Sequence, residues 1–174
     1  WSAFADTGFP WISISEESGG SGGTLLDALE VLRLVGYHAA PIPAAETGIL
    51  GGWLMSYAGL ELRSRIVTVL PNGNQGLAVE RTGDRLTISG RGLRVPWARV
   101  AETIVVPLEL DGQTFAAAIN PSECQISRMT NMAGEPRDTV DFENVDVFAA
   151  VLPSEINLET FRFRGALSRT ALMA

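Results

Sequence analysis

Arg94, Pro96 and Trp97 close a phrase, G-R-G-L-R-V-P-W-A-R over residues 90–99, whose residue types suit one wall of a site for a flat ligand. A guanidinium forks to anions and stacks on planar rings. Tryptophan presents a broad apolar face with a single N–H, and proline removes a backbone donor. Gly90 and Gly92 permit either a sharp change of direction or a close backbone approach. The same residues also read as a structural turn over a core Trp, and both readings stay open. Arg63, Arg65, Arg91, Arg94 and Arg99 leave room for a local anion site.

Other candidates are weighed in the same way. Thr68 can reach a ligand from a strand end, or be an ordinary strand threonine. Trp53 and Met55 lie on a glycine-bearing helix, where they line a pocket or pack in the core. Glu16 and Glu17 are neighbours on a Gly-rich loop and have no fixed geometry for paired acid–base work. His38 reads as a capping or surface histidine, and Cys124 carries no argument for reactivity. With one His and one Cys, a Cys/His metal cluster and an intrachain disulfide are both excluded. The absence of a disulfide fits a cytoplasmic location.

The chain has 174 residues, of which 46% are hydrophobic, enough for a sizeable core. A formal charge of −7 argues against a nucleic-acid partner. No run approaches the ~18 apolar residues of a membrane span. All 13 basic residues are arginine. Both ends fall inside apparently structured phrases, so the chain reads as a piece of something longer.

Local patterns place these residues on elements. A short helix end and an extended apolar segment are expected over residues 1–14, then a loop, E-E-S-G-G-S-G-G, that is ordered or flexible. Thr24 and Asp27 make a capping-box variant that starts a helix over 24–35, with Gly36 as its stop. Pro41 and Pro43 lead into a second helix over 44–58. Its Gly48, Gly51 and Gly52 favour close packing over a ligand role. Six strands follow, over 66–70, 76–81, 85–89, 103–110, 113–119 and 140–147, separated by turn signals such as Asp111-Gly112. A last helix is expected over 158–174. The predicted class is α+β: N-terminal helices (1–62), an antiparallel β-barrel (63–153), and the first helix of a further helical domain (154–174).

That order, with the phrases filling it, resembles the acyl-CoA dehydrogenase family. The loop S-E-E-S-G-G-S-G over 15–22 looks like the family's "P-E-E-x-G-G-x-G" segment. The phrase L-D-A-L-E-V-L-R-L-V-G-Y-H-A-A-P-I-P-A-A-E-T is similar to the link between its N-terminal helices. Residues 84–106 look like its "G-x-K-x-W-I-T-N" β-domain segment, and 134–145 like its last strand region. The resemblance implies FAD as cofactor, an acyl-CoA substrate oxidised to the α,β-enoyl-CoA, and a homologous subunit in a homo- or hetero-oligomer. A carboxylate base takes the α-proton while flavin accepts the β-hydride. In the family that base lies in the C-terminal domain, so no catalytic residue is assigned within this chain.

By the same resemblance, the cofactor face is carried by Thr68, Val69, Leu70, Arg94, Val95, Pro96 and Trp97, and the acyl-binding side by Trp53 and Met55. The chain departs from the pattern in two places. The family's "T-E-P-x-x-G-S-D" loop is replaced by V-T-V-L-P-N-G over 67–73. Arg94 stands at the flavin-stacking Trp position, and Pro96 at a hydrogen-bonding Thr. These departures allow either a divergent flavoenzyme or a flavin-poor subunit paired with an active homologue.

Overall fold

The computed structural model describes residues 1–62, 66–83 and 85–174. Arg63 and Arg65, two of the arginines singled out above, lie outside the described residues, as does Asp84.

The chain opens on α1 (Ser2–Ala5) and a 3-10 turn at Phe9–Trp11, where an extended apolar segment was expected. The following Gly-rich loop is ordered. Gly22 and Gly23 donate backbone N–H groups to the Ile14 and Ile12 carbonyls, and a Cβ on Gly20 would lie 2.2 Å from the Ile14 oxygen. Next comes α2 (Leu25–Tyr37), started by the capping box read from the sequence. The Asp27 backbone donates to Thr24 Oγ1 (3.2 Å), and the Thr24 backbone donates to Asp27 Oδ2 (2.8 Å). Gly36 does not stop this helix. A Cβ there would lie 2.1 Å from the Leu172 carbonyl, so the glycine is the crossing point with the C-terminal helix α4 (Leu158–Met173).

The expected second helix divides into a π-helical stretch, Ala45–Gly52, and α3 (Trp53–Tyr57). All eight π-helical residues are buried. Their glycines serve packing: a Cβ on Gly48 would meet the Pro10 carbonyl at 1.7 Å, and one on Gly51 would meet Val67 Cγ1 at 2.4 Å. Thr47 bonds both backbone groups of Val67, donating to the carbonyl at 3.0 Å and accepting from the N–H at 3.2 Å. This satisfies the outer edge of the first strand, which otherwise would leave buried polar groups unpaired.

The strands are β1 (Val67–Val69), β2 (Leu77–Thr82), β3 (Arg85–Pro96), β4 (Thr103–Leu110), β5 (Gln113–Ile119), β6 (Gln125–Ser127) and β7 (Arg137–Val151). They form one sheet in the order β1-β4-β5-β7-β3-β2, with β6 also on β7. The α+β class holds. The antiparallel barrel does not: the sheet is open, with β1 and β2 at its ends, and β1 pairs with β4 in parallel. The connection from β1 to β4 runs through β2 and β3, long enough for a parallel return.

Alternation along β4 and β5 sends residues to two cores. Val105 and Ala116 face the helices, while Ile104, Val106, Phe115 and Ala117 face a second cluster with Ile88, Val95, Val140 and Phe142. Residues of β3, β4, β5 and β7 meet in that second cluster, so the sheet curls over it without closing. Burial on both faces explains why β4 and β5 read as near-continuous apolar runs.

Candidate functional site

The expected turn after Ser89 is instead strand. β3 continues through Gly90 and Gly92 to Pro96 with two irregularities in its pairing to β7. Close approach is the role Gly90 takes, since a Cβ there would lie 2.6 Å from the Gly76 carbonyl. Between the pairs Gly92–Val140 and Val95–Asp138, Leu93 and Arg94 stand opposite Thr139 alone, a β-bulge. The bulge turns both side chains outward. Arg94 takes φ +56°, as does Trp97 three residues on. Two non-glycine residues in the left-handed region within four positions mark locally strained backbone.

The bulge forms one side of a surface groove. Two abutting cavities, of about 230 and 420 Å³, share Pro71, Pro96 and Arg169. A third, also about 420 Å³, continues the strip past Asn72, Leu93 and Arg94 to Leu70. The far wall comes from the π-helical stretch and α4, with Leu50 and Phe161 as apolar lining. The groove therefore lies where the ends of β1 and β3 meet two helices.

Of the residues expected at a cofactor face, Val69, Leu70, Arg94 and Pro96 line this groove. Thr68, Val95 and Trp97 do not. Thr68 and Val95 are fully buried, and the Thr68 hydroxyl donates to the Pro96 carbonyl. Trp97 is half-buried, with its backbone N–H directed at the Pro136 carbonyl, 3.4 Å away. Of the pair expected on the acyl side, Met55 is in the helical core, while Trp53 lines a separate cavity of about 810 Å³ with Arg164. Neither of these borders the groove.

Charge at the groove is mostly internally balanced. Arg169 donates to Glu46 (2.8 Å), and the Glu46 side chain is only 3% exposed. Arg137 pairs with Glu135 at 2.9 Å. Arg91 and Arg99, read above as part of an anion site, are paired with Asp141 and Asp138. Arg94 has no ion-pair partner among the described residues and faces the groove.

The Arg99–Asp138 pair ties the turn after β3 to the start of β7, next to Arg137 of the groove. Asp138 is fully buried and accepts from Arg99 Nε (3.0 Å) and from the backbone N–H of Arg99 (2.9 Å) and Met129 (3.0 Å). Burial works to raise its pKa, and these donors outweigh burial, holding the carboxyl below its ordinary value. Nothing in the local sequence around Asp138 announces this role, because its partners lie nine and 39 residues away.

The fit to an isoalloxazine is poor on this face. Such a ring needs hydrogen-bond donors along its polar edge. The Thr68 hydroxyl is committed to Pro96, the Leu70 N–H to the Val105 carbonyl, and Pro96 has no N–H. On the β-side of the groove, Arg91, Asn131 and Arg137 are bonded to Asp141 and Glu135, and the side-chain donors of Arg94, Asn72 and Gln75 remain. Among the described residues, no group of three or more His, Cys, Asp or Glu side chains is placed to hold a metal, and no helix is long and apolar enough to cross a membrane.

Comparison with known proteins gives the class to which this architecture belongs. No family model matches the chain. An acyl-CoA dehydrogenase of Mycobacterium tuberculosis, FadE27, is 28% identical over 125 residues, covering 64% of this chain and 34% of that protein. The ChsE4–ChsE5 complex of Mycobacterium tuberculosis contains a chain that superposes with a TM-score of 0.77 at 20% identity, over 99% of this chain and 52% of that one. A glutaryl-CoA dehydrogenase of Mycobacterium smegmatis in complex with FADH2 superposes with a TM-score of 0.73 at 13% identity, over 98% and 51%. The steroid dehydrogenase Tcur3481–Tcur3483 gives 0.73 at 15% identity, over 98% and 53%. The chain thus spans about a third of the curated relative and about half of each solved chain. The curated relative is an acyl-CoA dehydrogenase, and the solved structures share this chain's fold, in line with the family that the phrases of the sequence resemble.

Proposed function

We propose that the chain is part of a subunit of an FAD-dependent acyl-CoA dehydrogenase, an oxidoreductase that converts an acyl-CoA thioester to the α,β-enoyl-CoA in the cytoplasm, and that a homologous partner subunit holds the flavin. The observation that carries this reading is the bond from Thr68 to the Pro96 carbonyl, which commits the hydroxyl expected at the cofactor face to the protein itself. Relatives of the same fold are described as two-component assemblies, ChsE4–ChsE5 and Tcur3481–Tcur3483, which supports a heteromer. When bound, FAD supplies the hydride acceptor.

This chain contributes shape and charge. Val69, Leu70 and Pro96 make apolar walls that exclude water from the groove. Arg94 at its mouth attracts the anionic portion of a CoA thioester.

The test is purification of the full-length protein alone and with its homologous partner, followed by flavin absorbance and acyl-CoA-dependent dye reduction. The expected result is colourless protein alone, and a yellow, active complex with the partner. Colourless, inactive material in both preparations would overturn the proposal.

A second reading, in which this chain itself holds FAD, is favoured by the bulge that aims Arg94 into the groove, since a guanidinium stacks on a flavin ring. Stoichiometric flavin in the protein purified alone would establish it.

A further inference from the structure

The smallest of the three groove cavities holds a carboxylate that the proposed function does not use. Among the described residues, Glu46 is the only acidic group lining this cavity of about 230 Å³, and its side chain is 3% exposed. Arg169 donates to Oε1 at 2.8 Å, and Oε2 accepts no hydrogen bond from the described residues. Nor is Oε2 sealed off. The fully enclosed side-chain atoms without a partner are Trp1 Nε1, Trp11 Nε1 and Ser13 Oγ, so Oε2 keeps surface on the cavity that Glu46 lines. A largely buried carboxylate oxygen that lacks a donor is costly, and a ligand that donates to it offsets that cost.

An unusual backbone carries this residue. Glu46 lies in the π-helical stretch Ala45–Gly52, where Trp53 donates to the Gly48 carbonyl five residues back. Such turns are rare and gather at functional sites. Glu46 and Leu50 of this stretch line the cavity together, and Val69, Pro96 and Phe161 complete its apolar walls. Arg169 borders the same cavity, and its Nε and Nη1 make no bond to the described residues. A carboxylate acceptor and guanidinium donors therefore stand side by side in an apolar enclosure.

We propose that Glu46 and Arg169 recognise a hydroxyl group on a compact aliphatic ligand, which donates to Glu46 Oε2 and accepts from Arg169. A hydroxyl offers one donor and two lone pairs, which matches this pair. An anion in the same place faces the Glu46 oxygen, and a ketone or ether has nothing to donate to it. An ammonium is disfavoured because Arg162 and Arg169 also line the cavity. The volume lies below the ~300–1,000 Å³ of a drug-sized site, so the apolar part of the ligand is no larger than a small ring. That this hydroxyl belongs to an acyl substrate rests on the function proposed above; the recognition itself does not.

The test is ligand-observed NMR titration of the full-length protein with cyclohexanol and with cyclohexanone, which share a ring and differ in the donor. Cyclohexanol is expected to bind saturably and about tenfold more tightly than the ketone, the worth of a hydrogen bond to a charged group. In Glu46→Gln the amide oxygen takes the bond from Arg169 and the NH2 group faces the cavity, so the order of the two probes is expected to reverse. Gly165→Ala adds a methyl group to the cavity wall and is expected to weaken both probes alike, several-fold. That variant carries the test if the glutamine variant does not fold. Absence of saturable cyclohexanol binding, equal affinity for the two probes, an unchanged preference in Glu46→Gln, or affinities unaltered by Gly165→Ala would each overturn the proposal. None of these measurements uses flavin or acyl-CoA, so failure here is separable from failure of the function proposed for the groove.

Discussion

The hydroxyl of Thr68 donates to the carbonyl of Pro96, joining the end of β1 to the end of β3 across the core. Both residues are buried, so the bond fixes how these strand ends meet. Thr68→Val keeps the shape and leaves the carbonyl unsatisfied, which should lower stability by about 1–2 kcal/mol. Urea unfolding reads that loss. Flavin content of the complex with its partner should be unchanged, and a drop in flavin without a stability change would show that Thr68 serves a cofactor after all.

Glu46 and Arg169 form an ion pair with unequal surroundings. The Glu46 side chain is 3% exposed and that of Arg169 is 45% exposed. Removing the arginine strands a buried carboxylate, while neutralising the glutamate leaves a cation that water can still reach. Arg169→Ala should therefore cost about 3 kcal/mol and Glu46→Gln about half that or less. Thermal unfolding of the two variants ranks them, and the reverse order would mean that the pair owes little to burial of Glu46.

How much of this was legible in the sequence depended on how local the cause was. The Thr24–Asp27 cap, the bounds of β4 and β5 and the Asp111-Gly112 hairpin follow from residues a few positions apart. The phrases over residues 15–22 and 84–106 led to the family because their order along the chain is itself a local record. What was missed is non-local. Gly36 and Gly92 carry the local marks of a stop and a turn, yet Gly36 admits Leu172 and Gly92 sits inside a strand beside Leu70. The sheet stays open because β1 pairs in parallel with β4, a choice made by strands more than thirty residues apart. At the candidate site, Arg94 and Pro96 were legible as residue types. The commitment of Thr68 to Pro96 was not, because the partners are 28 residues apart.

Two glycines in helices predict opposite outcomes on the same substitution. A Cβ on Gly48 would sit 1.7 Å from the Pro10 carbonyl, whereas one on Gly165 in α4 meets nothing within 4 Å. Gly48→Ala should destabilise by about 3 kcal/mol through forced backbone displacement. Gly165→Ala should stabilise by about 0.5–1 kcal/mol, because alanine loses less backbone freedom on folding. Gly165 also lines the groove, so on the proposed function the added methyl should reduce dehydrogenation of bulky acyl groups by the complex while raising its melting temperature. A gain in stability with no change in acyl preference would take the acyl group elsewhere.

Asp138 makes a prediction about acid. Its carboxyl is fully buried and titrates below the ordinary value of 3.8 because the bonds from Arg99 and two backbone N–H groups outweigh burial. The native state therefore binds a proton less readily than the unfolded state. The resulting stability is fully present above the ordinary carboxylate value and is lost as pH falls through the native one. Asp138→Asn should cost about 3 kcal/mol at neutral pH, since it leaves Arg99 without its counter-ion. The gap between variant and natural protein should then narrow as the pH drops to about 3. Urea midpoints measured across that range test both parts. A gap that stays constant into acid would mean that Asp138 acts through shape and hydrogen bonding alone, and that the junction of β3 and β7 is held by packing rather than by charge.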